Sequence, residues 1–190
     1  GKKLLNDRQE QDARERFVIG ALKAADERLL RLVQPRLKEQ MAFFATLRGR
    51  TAGRATLVKG KDGGTRVEVV PWDPMHVFYA IGAEGLKWAC YRTVKTLKEI
   101  EDEYGDVLQG EKVGSNALGI EMYDYWDEEI NAIVVRGRYL KQPTPHNLGQ
   151  IPVFVCVVGA APIVVPQQDV DLTRARQSYG ESALAPNRNV

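Results

Sequence analysis

The chain has 190 residues, enough for one domain or for one domain with a helical extension. With 44% hydrophobic and 27% charged residues it has the make-up of a folded globular protein, which excludes a disordered or fibrous chain. Its 27 basic side chains against 25 acidic ones leave a formal charge of +2, so net charge gives no reason to expect tight nucleic-acid or membrane binding by the whole surface.

No apolar run reaches the roughly 20 residues that cross a bilayer. The longest, residues 151–165, is interrupted by Pro152, Gly159 and Pro162. The charged N-terminus does not read as a signal peptide. Cys90 and Cys156 lie far apart, each in an apolar or aromatic stretch, which argues against a disulfide framework and for a reducing compartment. Both ends read as cut: Gly1 stands where an initiator Met would be, and residues 186–190 look like the approach to a helix.

The first predicted element is a helix over residues 7–33, rich in Ala, Leu, Arg, Glu and Lys. Phe17, Ala21, Ala25, Leu29 and Leu32 recur at helical spacing and form one apolar stripe. Pro35 is then either the first residue of a second helix or a kink in a continuous one. Leu37, Met41, Phe44 and Leu47 keep the period, and Gly49 and Gly53 are the expected stop.

After Arg54 the period changes to two. Alternation through Thr56 and Val58, the turn Lys61-Asp62-Gly63-Gly64, and alternation through Val67 and Val69 predict a β-hairpin. Pro71 and Pro74 are expected to end its second strand. A second hairpin runs from residue 77 to residue 94 around Gly82-Ala83-Glu84-Gly85. Thr96 and Glu99 then make a capping box for a short helix over residues 97–104 that stops at Gly105.

Residues 110–119 read as a loop, 120–126 as an aromatic strand, and 132–135 and 138–141 as its returns. Pro143, Pro145 and Gly149 mark a longer loop. Residues 153–158 are continuously apolar, which predicts a strand buried on both faces. A short helix is expected over residues 169–179. The fold class is therefore α+β: N-terminal helices packed on a mainly antiparallel β-sheet body with one small inserted helix. The expected organisation is a helical segment at 1–53, a β-rich body at 54–166, and a linker with the start of a following helix at 167–190.

Active-site patterns are scarce. There is no phosphate-binding Gly-x-x-x-x-Gly-Lys loop and no Gly-x-Ser-x-Gly elbow. His76 and His146 have no metal-ligand spacing and read as strand-edge or loop residues. Glu99, Glu101, Asp102 and Glu103 are candidates for a metal or for acid–base work, against the plainer reading of a solvated helix face with Ile100 and Tyr104 turned inward. Asp127-Glu128-Glu129 falls at a hairpin tip. Arg48, Arg50, Arg54, Lys59, Lys61 and Arg66 form a basic stretch that fits a phosphate backbone or a subunit contact, or simply the polar face of a helix end and hairpin. Trp72, Trp88 and Trp126, with Phe78, Tyr79, Tyr91, Tyr123 and Tyr125, read as sheet core. The two cysteines read as small hydrophobes. No catalytic residue, cofactor or metal ligand is assigned, and no enzyme activity is expected.

Six stretches, taken in order, resemble portal proteins of tailed bacteriophages. They are Val70-Pro71-Trp72-Asp73-Pro74 with Val77-Phe78-Tyr79; the hairpin from Gly82 to Tyr91; Lys95-Thr96 leading to Glu99-Ile100 and Tyr104-Gly105; Tyr123-Asp124-Tyr125-Trp126 with Asn131-Ala132-Ile133-Val134; His146-Asn147-Leu148-Gly149-Gln150-Ile151-Pro152; and Gly180 to Pro186. The resemblance spans about residues 26–190. It implies a structural subunit of a ring, usually of twelve, at the portal vertex of the virion. That ring nucleates head assembly in the host cytoplasm, docks the terminase, contacts capsid or scaffold and the head–tail connector, and passes double-stranded DNA during packaging and ejection. The stretch resembles the wing region. Nothing matches the clip or the paired stem helices, so ring formation belongs to the intact subunit, and this stretch alone is compatible with a monomer. Outside the resemblance, the alternatives are a nucleic-acid-binding module built on residues 48–66 and an unrecognised hydrolase.

Overall fold

The structure, a computed structural model, describes residues 2–59, 63–105 and 119–158. Within them the chain is α+β, as expected. Helices α1 (Lys2–Arg31) and α2 (Leu37–Arg48) precede strands β1 (Arg50–Lys59) and β2 (Thr65–Trp72). A turn of 3-10 helix at Pro74–His76 leads to β3 (Val77–Gly82) and β4 (Gly85–Lys95), then α3 (Leu97–Tyr104). Strands β5 (Ile120–Asp127), β6 (Ile130–Val135), β7 (Arg138–Pro145) and β8 (Val153–Val157) follow. The strands form two sheets, ordered β2-β1-β8 and β3-β4-β5-β6-β7. They fall in two compact units, one holding the described residues up to Pro74 and from Phe154 onward, the other Met75–Val153. The expected single β-rich body is thus two sheets, and β1 begins before the boundary expected at residue 54. The turn residues 60–62, most of the loop at 110–119 and the helix expected at 169–179 lie outside the described residues.

In the first unit, α1 packs on β2 and α2 on β1. The apolar stripe is covered only in part: Ala25 and Leu29 are buried, whereas Phe17 toward the start of α1 and Leu32 just past its end are more than half exposed. The helix ends in a Schellman motif. Gln34 N–H reaches Leu29 C=O at 2.9 Å and Val33 N–H reaches Leu30 C=O at 3.0 Å. Val33 therefore takes the left-handed position with φ 57°, a costly conformation for a β-branched residue. Pro35 is neither a first helical residue nor a kink, because it lies in the connection between the two helices.

The N-cap of α2 is Arg36, whose side chain has no acceptor to offer. Asp26 of α1 supplies one instead, accepting the Leu37 N–H at 2.8 Å, while Glu39 accepts the Arg36 N–H at 3.1 Å. Gly49, with φ 66°, ends α2. Gly53 does not end it and lies inside β1 instead. There the ring of Phe154 and the carbonyl of Val70 come so close that a Cβ would sit 2.7 and 2.9 Å from them.

Strand β2 runs through Pro71, which faces Gly53 across the ladder, so the expected stop comes too early. A proline is tolerated because β2 is an edge strand. Trp72, opposite Ala52, is fully buried. Strand β8 was expected to be buried on both faces, but it is an edge among the described strands, and its Cys156 is exposed. Continuous apolarity does not distinguish a buried edge from a buried centre.

The second unit is an antiparallel meander. Helix α3 is inserted between β4 and β5, and the capping box sets its start. Thr96 Oγ1 accepts the Glu99 N–H at 3.3 Å, and the Glu99 carboxylate accepts the Thr96 N–H at 2.7 Å. Its Ile100 is wholly buried with Ile120, Met122, Ile133 and Val135, and Leu97, Tyr104 and Leu140 flank them. Each such fully buried side chain contributes about 2 kcal/mol of transfer free energy. Pro143 and Pro145, expected in a loop, belong to β7, again an edge strand where a missing N–H costs little.

Candidate functional site

The basic stretch is largely spent inside its own unit. Arg48 Nη2 lies 3.5 Å from Asp73 Oδ2, and Arg50 Nη2 donates to the Pro74 carbonyl at 2.8 Å. Arg54 Nη2 meets Glu68 Oε2 at 3.2 Å, and Arg28 of α1 meets the other oxygen of Glu68 at 3.3 Å. Glu68 is thus held between a helix and a strand by two guanidiniums. Lys59 and Arg66 are exposed, and Lys61 lies outside the described residues. The five described side chains of the stretch do not line up as a free cationic track.

Two of the acidic residues of α3 have local duties. Glu99 belongs to the cap, and its hydrogen bonds from Thr96 hold its carboxyl below the usual range. Glu103 pairs with Lys95 and accepts the Tyr104 hydroxyl at 2.8 Å. Asp102 is exposed. Among the described residues no three His, Cys, Asp or Glu side chains gather to hold a metal ion.

Both histidines act as hydrogen-bonded fasteners. The Leu148 N–H donates to His146 Nδ1 at 3.2 Å, so the ring proton is on Nε2, which donates to the Asp127 carbonyl at 2.9 Å. His146 also packs against the buried Trp126, with ring centroids 5.5 Å apart and planes tilted by 40°. His76 Nδ1 lies 3.2 Å from Arg92 Nη2; a guanidinium only donates, so this nitrogen is the acceptor. Burial and the Asp124 charge push the Cys90 thiol up to about 11, which keeps it protonated at neutral pH.

The aromatic residues are where the sequence expectation changes most. Trp72 and Trp126 are core, as expected. Phe78, Trp88, Tyr123 and Tyr125 are not. Strand alternation and the register put them together on the face of the five-stranded sheet that α3 does not cover. Phe78 pairs with Cys90, Cys90 with Tyr125, Tyr123 with Val134, and Val134 with Tyr139. Phe78 is 47% exposed and Tyr139 48%, and Trp88, Tyr123 and Tyr125 are half-buried.

This face is ordered by its own polar groups. Trp88 stacks on Tyr125 with centroids 6.2 Å apart. Arg92 sits 6.0 Å from the Phe78 centroid and 3.4 Å from Glu121, and Glu121 accepts the Tyr123 hydroxyl at 2.9 Å. The Tyr125 hydroxyl donates to Asp127 at 3.2 Å. That hydrogen bond to Glu121 holds the Tyr123 phenol above its ordinary value, and burial beside Asp127 does so for Tyr125. An open depression of about 380 Å³ continues the face, lined by Glu121, Tyr123, Val134 and Arg136.

On the opposite face, sequence reasoning missed a polar group inside the core. Asn131 Nδ2 donates to Asp124 at 2.8 Å and to the Tyr125 carbonyl at 2.9 Å, and Lys141 Nζ donates to Asn131 Oδ1 at 2.6 Å. It laces β5, β6 and β7 together. The signal was present: Asp124 falls in step with Ile120, Met122 and Trp126, on the apolar side of the alternation.

No helix of the described residues is long and apolar enough to cross a membrane. No protein-family model matches this chain, and no curated protein matches its sequence.

Proposed function

We propose that this chain is a non-catalytic structural module of a phage portal subunit, from its wing-like region, and that it works by contact with other proteins. The observation that carries the assembly reading is the aromatic face of the β3–β7 sheet that no described element of its unit covers. A sheet face that carries exposed and half-buried aromatic rings, and that no described helix covers, is a candidate interaction surface in a folded protein. Arg28, Arg54, Glu68, Lys95 and Glu103, by contrast, are engaged in ion pairs inside their own units.

The portal identity rests on the ordered series of resembling segments, five of which lie among the described residues: the end of β2 with the start of β3, the β3–β4 hairpin, α3, the β5–β6 pair and the connection that leads into β8. On this reading the partners are other copies of the subunit in the ring, the terminase, capsid or scaffold, and the head–tail connector. Double-stranded DNA passes through the ring assembled from intact subunits. The location is the portal vertex of the virion, with assembly in the host cytoplasm.

Electron microscopy of the longer subunit that would carry this chain, under assembly conditions, tests the reading. Closed rings are expected, and a population of monomers alone overturns it.

A further inference from the structure

The chain has two histidines, and both lie where the backbone enters or leaves the second unit. It enters that unit at Met75 and leaves it at Val153. His76 ends the turn of 3-10 helix at the entry. His146 opens the connection from β7 to β8 at the exit.

Each histidine serves as an acceptor, which only a neutral imidazole can be. His76 Nδ1 accepts from Arg92 Nη2 at 3.2 Å. The charged groups facing it are Arg92 itself and Glu121, which lies 3.4 Å from Nη1 of the same guanidinium. His146 Nδ1 accepts the N–H of Leu148, two residues on, at 3.2 Å. Asn147 with φ 55° and Gly149 with φ 69° make this a tight turn. Among the described residues no other hydrogen bond holds residues 147–152. On its other side His146 donates from Nε2 to the Asp127 carbonyl and from its backbone N–H to the Glu129 carbonyl. The charged group facing the ring is the Asp127 carboxylate.

A proton acts differently at the two sites. At His76 it removes the acceptor and sets an imidazolium against a guanidinium, whose charge the half-exposed Glu121 offsets only in part, so the contact opens. At His146 it removes the acceptor for Leu148 but keeps the Nε2 donor and adds attraction to Asp127. The ring then stays in place and the Leu148 N–H is let go. Asp127 keeps its charge through the range in which histidines titrate, because its carboxyl is held below its ordinary value.

We propose that the two neutral histidines fasten the ends of the second unit, and that acidification toward about pH 5 releases Arg92 at the entry and the 147–152 connection at the exit while the sheet stays folded. The device does not depend on the portal reading.

Hydrogen exchange of the full chain, followed by NMR at about pH 7.5 and about pH 5 and corrected for the intrinsic exchange rate, tests it. Protection of the Leu148 N–H is expected to fall about fivefold at the lower pH, the net worth of one hydrogen bond. The Arg92 guanidinium protons are expected to lose protection as well, while the paired amides of β5 and β6 keep theirs. Asparagine does not titrate, and its side-chain oxygen can accept an N–H two residues on. His146→Asn is therefore expected to hold Leu148 equally at both pH values, and His76→Asn to do the same for Arg92. A wild type in which either Leu148 or Arg92 keeps its protection overturns the proposal. So does a fall shared by the β5 and β6 amides, or one that persists in the variants. If a variant does not fold, the wild-type series decides alone.

Discussion

Helices cover a sheet face in both units, but the helix–sheet seam is built differently. In the first unit the seam has an ionic centre: Glu68 of β2 lies between Arg28 of α1 and Arg54 of β1, beside the buried Trp72, Ala25 and Leu29. In the second unit α3 meets the sheet through Ile100, Ile120, Met122, Ile133 and Val135, and the polar trio of Asp124, Asn131 and Lys141 ties strand to strand instead. Apolar contact is non-directional and tolerates sliding, whereas a carboxylate shared by two guanidiniums has one geometry. The difference teaches that α1 is positioned by directional bonds, while α3 is positioned by a short connection, its cap and shape.

Core truncation probes the comparison with the largest effect. Trp72→Ala is expected to lower stability by about 4 kcal/mol and Ile100→Ala by about 3 kcal/mol, measured by urea unfolding. If the units unfold as separate cooperative bodies, each substitution shifts a different transition. A single transition shifted by both shows that they unfold together.

Glu68→Ala comes next, at about 2 kcal/mol, because it leaves two partly buried guanidiniums without their carboxylate. A loss below about 0.5 kcal/mol would show that the seam is apolar in both units and erase the contrast. Replacing Val33 acts in the opposite direction. Val33→Gly relieves the left-handed valine that closes α1 and is expected to stabilise the first unit by about 1 kcal/mol, read from the same unfolding curves.

The smallest effect is a pH dependence in the second unit. Burial alone would raise the Asp127 carboxyl, but hydrogen bonds from the N–H groups of Ile130 and Glu129 and from the Tyr125 hydroxyl, with His146 nearby, together more than offset this and hold it below its ordinary value. A lowered folded value contributes stability that is present above the unfolded pKa of about 4 and is lost as pH falls through the folded value. Asp127→Asn is therefore expected to flatten the fall in urea midpoint below pH 4, compared with the wild type.

Much of the local structure was legible. Asp-Gly and Gly-Ala-Glu-Gly turns announced two hairpins, Thr96 with Glu99 announced α3, and Gly49 announced the end of α2. Each is a signal confined to a few residues. The errors have one physical origin. Pro71, Pro143 and Pro145 read as stops because proline lacks a donor, but an edge strand does not need that donor, and edge position is not a local property. Gly53 read as a helix stop for the same want of context: its missing Cβ makes room for Phe154, far along the chain.

The candidate surface was half legible. Alternation already put Phe78, Trp88, Tyr123 and Tyr125 on strands, which is why they read as core. Whether a sheet face is core depends on whether something lies over it, and one inserted helix can cover only one side. By itself, then, the sequence determined the elements, their caps and most turns, because these follow from backbone dihedrals and hydrogen bonds between near neighbours. Only the tertiary structure decided which carboxylate takes Arg28 and Arg54, which strands are edges, and which aromatic face stays open. Those outcomes depend on register and layer stacking between segments distant in sequence, which no local pattern encodes.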